Sequence, residues 1–169
     1  MKIIFLVPYP LGVVPSQRFR FEQYIRILNE RQVHVEVHPF LTSNFYNTFN
    51  RSAVHKITSI LYGILKRLFL LLKIPMFDFV FIHREALPIG PPVIEWVIRF
   101  ILQTKIIYDF DDAIWLTDKK HEPVLERLLR GRNKVQQICR WSHKVSSGNE
   151  YLCQFARQFN NNVVLNPTT

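Results

Sequence analysis

The apolar and polar positions of this chain follow two different periods, and their alternation predicts an α/β fold. Continuous apolar runs such as KIIFLV at 2–7 and KIIYDF at 105–110 are typical of strands covered on both faces. Between these runs, apolar residues recur every three or four positions, as they do along a helix with one buried face. The predicted strands are 2–7, 33–40, 77–83, 105–110, 143–147 and 161–167. The predicted helices are 12–32, 47–75, 91–104, 122–141 with a break near Gly131, and 149–159.

Strands and helices alternate along the whole sequence, which favours a mainly parallel sheet between two layers of helices. We therefore predict a Rossmann-like three-layer αβα sandwich, formed by one domain that spans residues 1–169. In sheets of this kind, ligands bind beyond the carboxyl ends of the strands. Functional residues are consequently expected in the polar loops that follow the predicted strands.

Charge and cysteine content narrow the classes of partner. The net charge of +9 attracts phosphates, nucleic acids or anionic membranes. The basic residues are scattered and form no stripe with aromatic residues, so we expect no nucleic-acid partner. Cys139 and Cys153 have neither metal-ligand nor redox-motif spacing, which favours a reduced, cytoplasmic setting.

The loop after the first predicted strand has neither a dinucleotide-binding glycine fingerprint nor a P-loop. It contains Gly12, which permits close backbone approach, and Ser16, a candidate helix N-cap. Arg18 and Arg20 fall in the first helical turn, where cations oppose the helix dipole. These arginines are either solvated surface side chains or ligands for a phosphate or carboxylate of a substrate.

Polar residues also follow the third and fifth predicted strands. His83 is either a buried, satisfied histidine or a hydrogen-bonding group for substrate. Arg84 and Glu85 either pair with each other or with neighbours, or contact substrate at the rim of the sheet. The loop SSGNE adds candidates after the fifth strand, namely Ser147, Asn149 and Glu150.

The fourth predicted strand is followed by YDFDDAIW, with Asp109, Asp111 and Asp112 close together. On an extended chain Asp109 and Asp111 share one face and Asp112 points to the other. One or two carboxylates with substrate phosphates can hold Mg²⁺. The same residues could instead cap the next segment, bind nearby arginines, or contact substrate without a metal.

The segment 53–74 combines a broad apolar face with a basic arc. In one interpretation the apolar face packs on the sheet and the basic arc is solvated. In the other, the helix lies on an anionic membrane surface. The apolar face is Ile57, Ile60, Leu61, Ile64, Leu65, Leu68, Leu71 and Leu72, and the basic arc is Lys56, Lys66, Arg67 and Lys73.

Taken in order, several segments resemble the N-terminal half of a GT-B glycosyltransferase of family 4. They are MKIIFLVPYP, RQVHVEVHPF, FDFVFIHRE, KIIYDFDDAIW, HKVSSGNEYLCQFARQF and NNVVLNPTT. The resemblance covers essentially the whole chain. It implies an N-terminal domain that binds the acceptor and a second Rossmann-like domain that binds a nucleotide-sugar donor. It further implies sugar transfer with retention of anomeric configuration, generally without a metal and without a cofactor.

This resemblance makes Asp111 and Asp112 the candidate catalytic carboxylates, placed to contact acceptor hydroxyls, while Asp109 closes off its strand. It also places Gly12 where the family approaches the donor diphosphate. The donor-binding signature of the second domain is not found within 1–169. We therefore expect this chain alone to bind nucleotide-sugars weakly and to transfer no sugar. The candidate substrate-binding residues are Gly12, Ser16, Arg18, Arg20, His83, Arg84, Glu85, Ser147, Asn149 and Glu150.

Two questions stay open at the level of sequence. The acceptor is a saccharide, a lipid-linked saccharide or another hydroxyl compound, and the protein is cytoplasmic, with a peripheral contact to the inner membrane face as one option. The alternative function is a stand-alone flavodoxin-like binding or regulatory module without catalysis, for which 169 residues is a natural length.

Overall fold

The computed structural model describes residues 1–48, 52–116 and 133–167. The strands within these residues are β1 (Lys2–Val7), β2 (His34–Pro39), β3 (Phe79–His83), β4 (Lys105–Phe110), β5 (Lys144–Ser147) and β6 (Val163–Leu165). They form one sheet in the order β2-β1-β3-β4-β5-β6. Every adjacent pair is parallel. The predicted α/β fold with a parallel sheet and helices on both sides is thus confirmed.

Six helices connect the strands within the described residues. Two of them pass from α-helical to π-helical geometry along their length. The helices are α1 (Pro15–Gln17, a π-turn at Arg18–Glu22, then Gln23–Glu30), α2 (Ser43–Thr48), α3 (Ala53–Leu71), α4 (Val93–Trp96, then a π-turn at Val97–Ile101), α5 (Lys134–Trp141) and α6 (Glu150–Arg157). A 3₁₀ turn at Ile74–Met76 follows α3. None of these helices, across the described ranges, is both long and apolar enough to cross a bilayer.

The helices divide unequally between the two faces of the sheet. Helices α3, α4, α5 and α6 contribute to the larger core, where Val80 lies beside Ile106 in register. On the other face α1 packs Phe21 against Phe5 and Phe81, and the last two rings stack with centroids 4.5 Å apart. The alternating side chains of the strands therefore bury apolar groups on both faces, as continuous apolar runs predict.

Several element boundaries differ from the prediction. The predicted helix 47–75 is two helices, α2 and α3, and the Ser52 side chain caps α3 by accepting from the His55 backbone N–H. Ser16 does not cap α1, because Val14 occupies the N-cap position. Of the predicted helix 122–141, the structure describes only the part from Asn133 onwards, so the predicted break near Gly131 lies outside the described residues.

Helix α3 does not pack on the sheet through its broad apolar face, as one of the two interpretations of segment 53–74 required. The predicted apolar face is largely exposed, whereas the buried side chains are Ser59, Arg67 and Leu70, together with Gly63. The reason is close packing, since a Cβ on Gly63 would lie 2.6 Å from Phe40 Cζ. Small residues let the helix approach Phe40, and the widest apolar stripe is left outside. The exposed apolar side chains of α3 are Val54, Ile57, Leu61, Tyr62, Leu65, Leu68 and Phe69.

Candidate functional site

The loops after β1, β3 and β4 meet at the carboxyl edge of the sheet, next to its topological switch point. The chain leaves β1 towards β2 on one side and later crosses to β3 on the other. In open parallel sheets such a point forms the crevice where ligands bind. One connected set of side chains, which we call the polar network, runs from the buried sheet to this edge. It comprises Ser16, Arg20, His83, Arg84, Asp109, Asp111 and Asp112.

The base of the polar network is a buried ion pair. Arg20 is 2% exposed and Asp109 is 0% exposed. Arg20 Nε donates to Asp109 Oδ2 at 3.2 Å, and Arg20 Nη2 donates to Asp109 Oδ1. The same guanidinium also donates to Ser146 Oγ at 3.1 Å and to the carbonyl of Asn166. All of these donors point into the protein, so Arg20 does not extend towards the cleft as the expectation of an anion contact required.

The helix geometry explains how Arg20 reaches the sheet. It lies in the π-turn Arg18–Glu22, which interrupts α1 between two α-helical segments. A π-turn adds a residue to one turn of helix and redirects the side chains around it, and it occurs frequently at functional sites. Arg18, two residues earlier, remains exposed. Only one of the two predicted anion ligands is therefore on the surface.

His83 connects the buried base to the surface. It is 1% exposed, its Nδ1 lies 2.8 Å from Asp109 Oδ2, and its Nε2 lies 3.3 Å from Ser16 Oγ. Ser16 in turn donates to Asp111 Oδ2 at 2.5 Å. The histidine thus has a carboxylate on one ring nitrogen and a hydroxyl on the other, and it is a positioning group without direct access to solvent.

Asp111 is the partly buried carboxylate that follows His83 and Ser16 towards the surface. Arg84 donates to its Oδ1 through Nε at 3.2 Å and Nη2 at 3.1 Å, and the same Nη2 also donates to Asp112. Because the strand ends at Phe110, the alternation of an extended chain does not apply, and Arg84 brings Asp111 and Asp112 together. Asp112 is exposed, and Asp111 is partly buried.

The pKa values of the two inner carboxyls shift downward for a shared reason. Burial raises the pKa of Asp109, but hydrogen bonds from His83 and Arg20 outweigh it, and the net shift is downward. Burial likewise raises the pKa of Asp111, and the hydrogen bond from Ser16 and the charge of Arg84 reverse that effect. Both groups are carboxylates at neutral pH, which makes them acceptors of hydrogen bonds.

The Ser16–His83–Asp109 order resembles that of a hydrolase triad, but its surroundings oppose that chemistry. A serine nucleophile needs hydrogen-bond donors that stabilise the oxyanion formed beside its oxygen. Ser16 Oγ instead lies 2.5 Å from a carboxylate oxygen of Asp111. An oxyanion beside Ser16 would be repelled, so the arrangement favours holding a hydroxyl over attacking a carbonyl.

Three ionisable side chains from three helices hold the loop that follows β3. Arg67 Nε donates to the carbonyl of Ala86 at 3.0 Å, and Lys134 Nζ donates to that of Leu87 at 2.6 Å. Glu95 Oε1 accepts from the Ala86 backbone N–H at 3.0 Å. We call Arg67, Glu95 and Lys134 the backbone clamp. The clamp fixes the loop that carries Arg84.

Arg67 extends this clamp to two more strands. Its Nη1 donates to the carbonyl of His38 at 2.8 Å and its Nη2 to that of Val7 at 2.9 Å. One guanidinium therefore joins the carboxyl ends of β1 and β2 to the loop after β3. Burial lowers the pKa of Arg67 to about 10, which leaves it charged at neutral pH.

A half-open cleft of about 800 Å³ adjoins the polar network. Arg84 and Glu85 lie on one wall, and Glu85 pairs with Lys134 Nζ at 3.2 Å. The other walls are mainly apolar and aromatic. Ligand-binding clefts typically have this volume and this mixture of apolar surface with a few polar groups.

The remaining predicted residues lie outside this arrangement. Gly12 has φ 78° and donates its backbone N–H to Glu22 at 2.9 Å, so its loop folds back on α1. Ser147 is fully buried. Asn149 caps α6 by accepting from the Leu152 backbone N–H. Glu150 forms an exposed ion pair with Arg157. The structure thus brings Ser16, Arg20, His83, Arg84, Asp111 and Asp112 together in the polar network and places Glu85 on the wall of the adjoining cleft. It leaves Gly12, Arg18, Ser147, Asn149 and Glu150 in separate places.

Sequence reasoning missed Gly148 and the backbone clamp. A Cβ on Gly148 would lie 3.1 Å from Asp111 Cα, so glycine allows the loop after β5 to pass close to the carboxylate. The sequence does contain a pattern from which the backbone clamp could have been predicted. Arg67 and Glu95 interrupt otherwise apolar helical segments, and a charge in such a position is rarely buried unless it has partners.

Comparisons with known proteins assign no family to the chain. No protein-family model matches it, and no curated protein sequence matches it. In the parts of the chain that the structure describes, no three His, Cys, Asp or Glu side chains are grouped as metal ligands would be.

Proposed function

We propose that this chain is the acceptor-binding domain of a retaining glycosyltransferase, and that a nucleotide-sugar donor binds chiefly to a second domain. The observation that carries the proposal is Asp111, a carboxylate held between Ser16 and Arg84 at the switch point of a parallel sheet. Its partner Arg84 lines a cleft of about 800 Å³. The ordered sequence resemblance to the N-terminal half of GT-B enzymes supports the same assignment.

In this proposal Asp111 accepts a hydrogen bond from the acceptor hydroxyl that receives the sugar. Its lowered pKa keeps it ionised, and a charge-assisted hydrogen bond is stronger than a neutral one. Arg84 and Ser16 fix the orientation of the carboxylate, which favours transfer by positioning the hydroxyl. Asp112, held by the same Arg84, contacts a neighbouring hydroxyl.

The test is calorimetry of the 169-residue chain with free saccharides and with uridine- and guanosine-diphosphate sugars. We expect weak saccharide binding that Asp111→Asn reduces about tenfold, equivalent to about 1.4 kcal/mol. Glu30→Gln is the matched control, because Glu30 is an exposed carboxylate paired with Arg26 on α1. Tight binding of either nucleotide-sugar, or equal effects of the two substitutions, would contradict the proposal.

One observation favours the alternative of a flavodoxin-like binding module. The strand order contains the series 2-1-3-4-5, which is the flavodoxin order. A flavin phosphate at the switch point would, however, meet the carboxylates of Asp111 and Asp112. Titration with flavin mononucleotide and inorganic phosphate separates the two ideas, since micromolar binding of the flavin would favour the module over the transferase.

We further propose that α3 rests on the cytoplasmic surface of a membrane through its outward apolar side chains. Leu61 and Leu65 are each 54% exposed and Phe69 is 73% exposed. The basic arc contributes less than the sequence suggested. Arg67 is buried, and Lys73 pairs with Glu36 at 2.6 Å. The contact therefore depends mainly on apolar insertion, with a general attraction from the net charge of +9.

Co-sedimentation with neutral and with anionic vesicles tests this contact. We expect binding to both, with a modest gain on anionic vesicles that 0.5 M salt removes. Leu65→Glu should abolish binding to neutral vesicles, whereas Ile27→Glu should not, because Ile27 is 45% exposed on the opposite face of the sheet. Binding to anionic vesicles alone would show that charge, and not α3, carries the contact.

A further inference from the structure

The cleft beside Asp111 has one apolar end that the proposed transfer to a sugar hydroxyl does not require. This end is formed by Phe40, Leu41 and Ile60. Phe40 is 4% exposed and Leu41 is 7% exposed, so both are firmly packed. Because Phe40 lies against Gly63, its ring has little freedom, and the apolar end exists before any ligand binds.

The apolar end continues towards the polar network along a wall of mixed character. Ile89 and Ile114 line this wall, as do Tyr9 and Tyr46, whose rings meet edge to face with centroids 5.8 Å apart. Arg84 also lines the cleft, and its guanidinium donates to Asp111. A ligand that fills the cleft would therefore place an apolar part at one end and a polar part at Arg84, next to Asp111.

The charges at the polar end select the kind of head group. Arg84 is shared by two carboxylates, Asp111 and Asp112, so one positive charge faces two negative charges. A phosphate or carboxylate head would be repelled there, whereas hydroxyl groups would donate hydrogen bonds to the carboxylates. The polar end is thus suited to an uncharged head group that carries hydroxyls.

We propose that the cleft binds the apolar chain of an uncharged, hydroxyl-bearing amphiphile, whose hydroxyl reaches Asp111. This inference rests on the proposed function and names the class of its acceptor as a neutral amphiphile such as an alkyl glycoside or a glycolipid. The apolar chain occupies the end at Phe40, Leu41 and Ile60, and the head group lies between Arg84 and Asp111.

The probe is a series of butyl, hexyl and octyl β-glucosides, titrated below their micelle-forming concentrations into the 169-residue chain by calorimetry. We expect affinity to rise about two- to fourfold for each added methylene, because burying one is worth up to about 0.8 kcal/mol. Free glucose tests the head group alone, and octyl phosphate tests the same chain with an anionic head. Octyl phosphate should bind at least tenfold more weakly than octyl glucoside.

Two variants of α3 distinguish the cleft from the outward face of that helix. Ile60→Gln alters the apolar end and should flatten the chain-length series while leaving glucose binding unchanged. Leu65→Gln is the matched control, because Leu65 lies on the exposed side of the same helix, and it should keep the series intact. If Ile60→Gln does not fold by circular dichroism, Ile89→Gln provides the same comparison from the loop.

The outcomes separate this inference from the proposed function. A flat chain-length series together with saccharide binding that still depends on Asp111 would overturn the amphiphile and leave the transferase proposal standing. A steep series that Leu65→Gln abolishes would overturn the cleft as the binding site. A steep series that Ile60→Gln alone flattens supports the cleft as the site of the apolar chain. If Asp111→Asn then leaves octyl glucoside binding unchanged, the placement of the head group at Asp111 is overturned together with the role of Asp111 in the proposed function.

Discussion

Arg20 and Arg67 are both buried in this small domain, but they serve different kinds of partner. They are 2% and 1% exposed and lie on helices that cover opposite faces of the sheet. Arg20 pairs with the carboxylate of Asp109, whereas the three hydrogen bonds of Arg67 all go to backbone carbonyls. One arginine therefore sets the charge of the polar network, and the other sets the shape of the loops around it.

The difference shows that buried arginines can organise a site in two ways, through the ionisation of its side chains and through the position of its loops. Arg20 affects ionisation, because it stabilises the Asp109 carboxylate, which would otherwise be costly to bury. Arg67 affects the position of the loops, because backbone carbonyls left without donors in the interior would be equally costly. Four measurements test whether the effects of Arg20 and Arg67 are independent.

The largest effect should come from Arg67→Met. Methionine fills much of the same space but leaves the carbonyls of Val7, His38 and Ala86 without their donor. We expect a loss of about 4 kcal/mol in the free energy of unfolding, measured with urea. Lys66→Met is the control, because among the residues that the structure describes Lys66 donates to the Pro39 carbonyl alone, and its loss should cost about 1 kcal/mol. Equal losses in the two variants would refute the role of the clamp.

Arg20→Met should have the next largest effect, about 3 kcal/mol, because it leaves the buried Asp109 carboxylate without its guanidinium. The double variant with Asp109→Asn should recover part of this loss, since both charges are then removed. A double-mutant cycle in urea measures the coupling. Strictly additive effects would mean that the pair contributes nothing beyond packing.

The third measurement uses pH, because the carboxyls beside the two arginines shift in opposite directions. The pKa of Asp109 is lowered, so its contribution to stability is present above pH 3.8 and is lost as the pH falls through the lowered value. Burial raises the pKa of Glu95, so its contribution is present below pH 4.5 and is lost as the pH rises through the raised value.

We therefore expect Glu95→Gln to stabilise the chain at pH 7 and to have little effect at pH 4. Asp109→Asn should instead flatten the acid side of the profile. Urea unfolding between pH 3 and 8 measures both, with the exposed Glu30→Gln as a control that should change neither side. A Glu95→Gln variant that loses stability at pH 7 would mean that the buried carboxyl is ionised and needed.

The smallest effect should come from Gly148→Ala, which reports how closely the loops pack at the polar network. The new Cβ would lie 3.1 Å from Asp111 Cα, so the two loops must separate by a few tenths of an ångström. We expect a loss of about 0.5–1.5 kcal/mol and chemical-shift changes at Asp111. Gly12→Ala has open space around the added Cβ but φ 78°, so it should strain its own turn and leave the Asp111 signals unchanged.

The sequence predicted the fold class well, because continuous apolar runs identify buried parallel strands. Residues 2–7 and 105–110 match β1 and β4 at both ends. The interpretation in which the broad apolar face of α3 packs on the sheet was wrong, since periodicity alone selects the widest apolar stripe as the buried face. The packing instead uses Gly63 against Phe40 and buries Arg67. The buried face of a helix can therefore be the one with a small residue and a hydrogen-bonded charge, when this face allows closer packing than the more apolar one.

The sequence predicted where the site lies on the sheet but not which residues bind one another within it. The rule that ligands bind at the carboxyl ends of parallel strands identified the loops with Ser16, His83 and Asp111. The hydrogen bonds among these residues join positions 67 and 95 apart in sequence, and no local pattern encodes such pairings. The burial of Arg20 was missed for a similar reason, because it depends on the π-turn of α1.

The three carbonyls bound by Arg67 also constrain the order in which the protein folds. They lie 60, 29 and 19 residues away in sequence, so the guanidinium is satisfied only after β1, β2 and β3 have assembled. Burying it earlier would leave a desolvated charge without partners. Helix α3 should therefore dock late, so that Arg67→Met speeds unfolding more than it slows refolding. Arg67 therefore stabilises the fold only after the first three strands are correctly arranged.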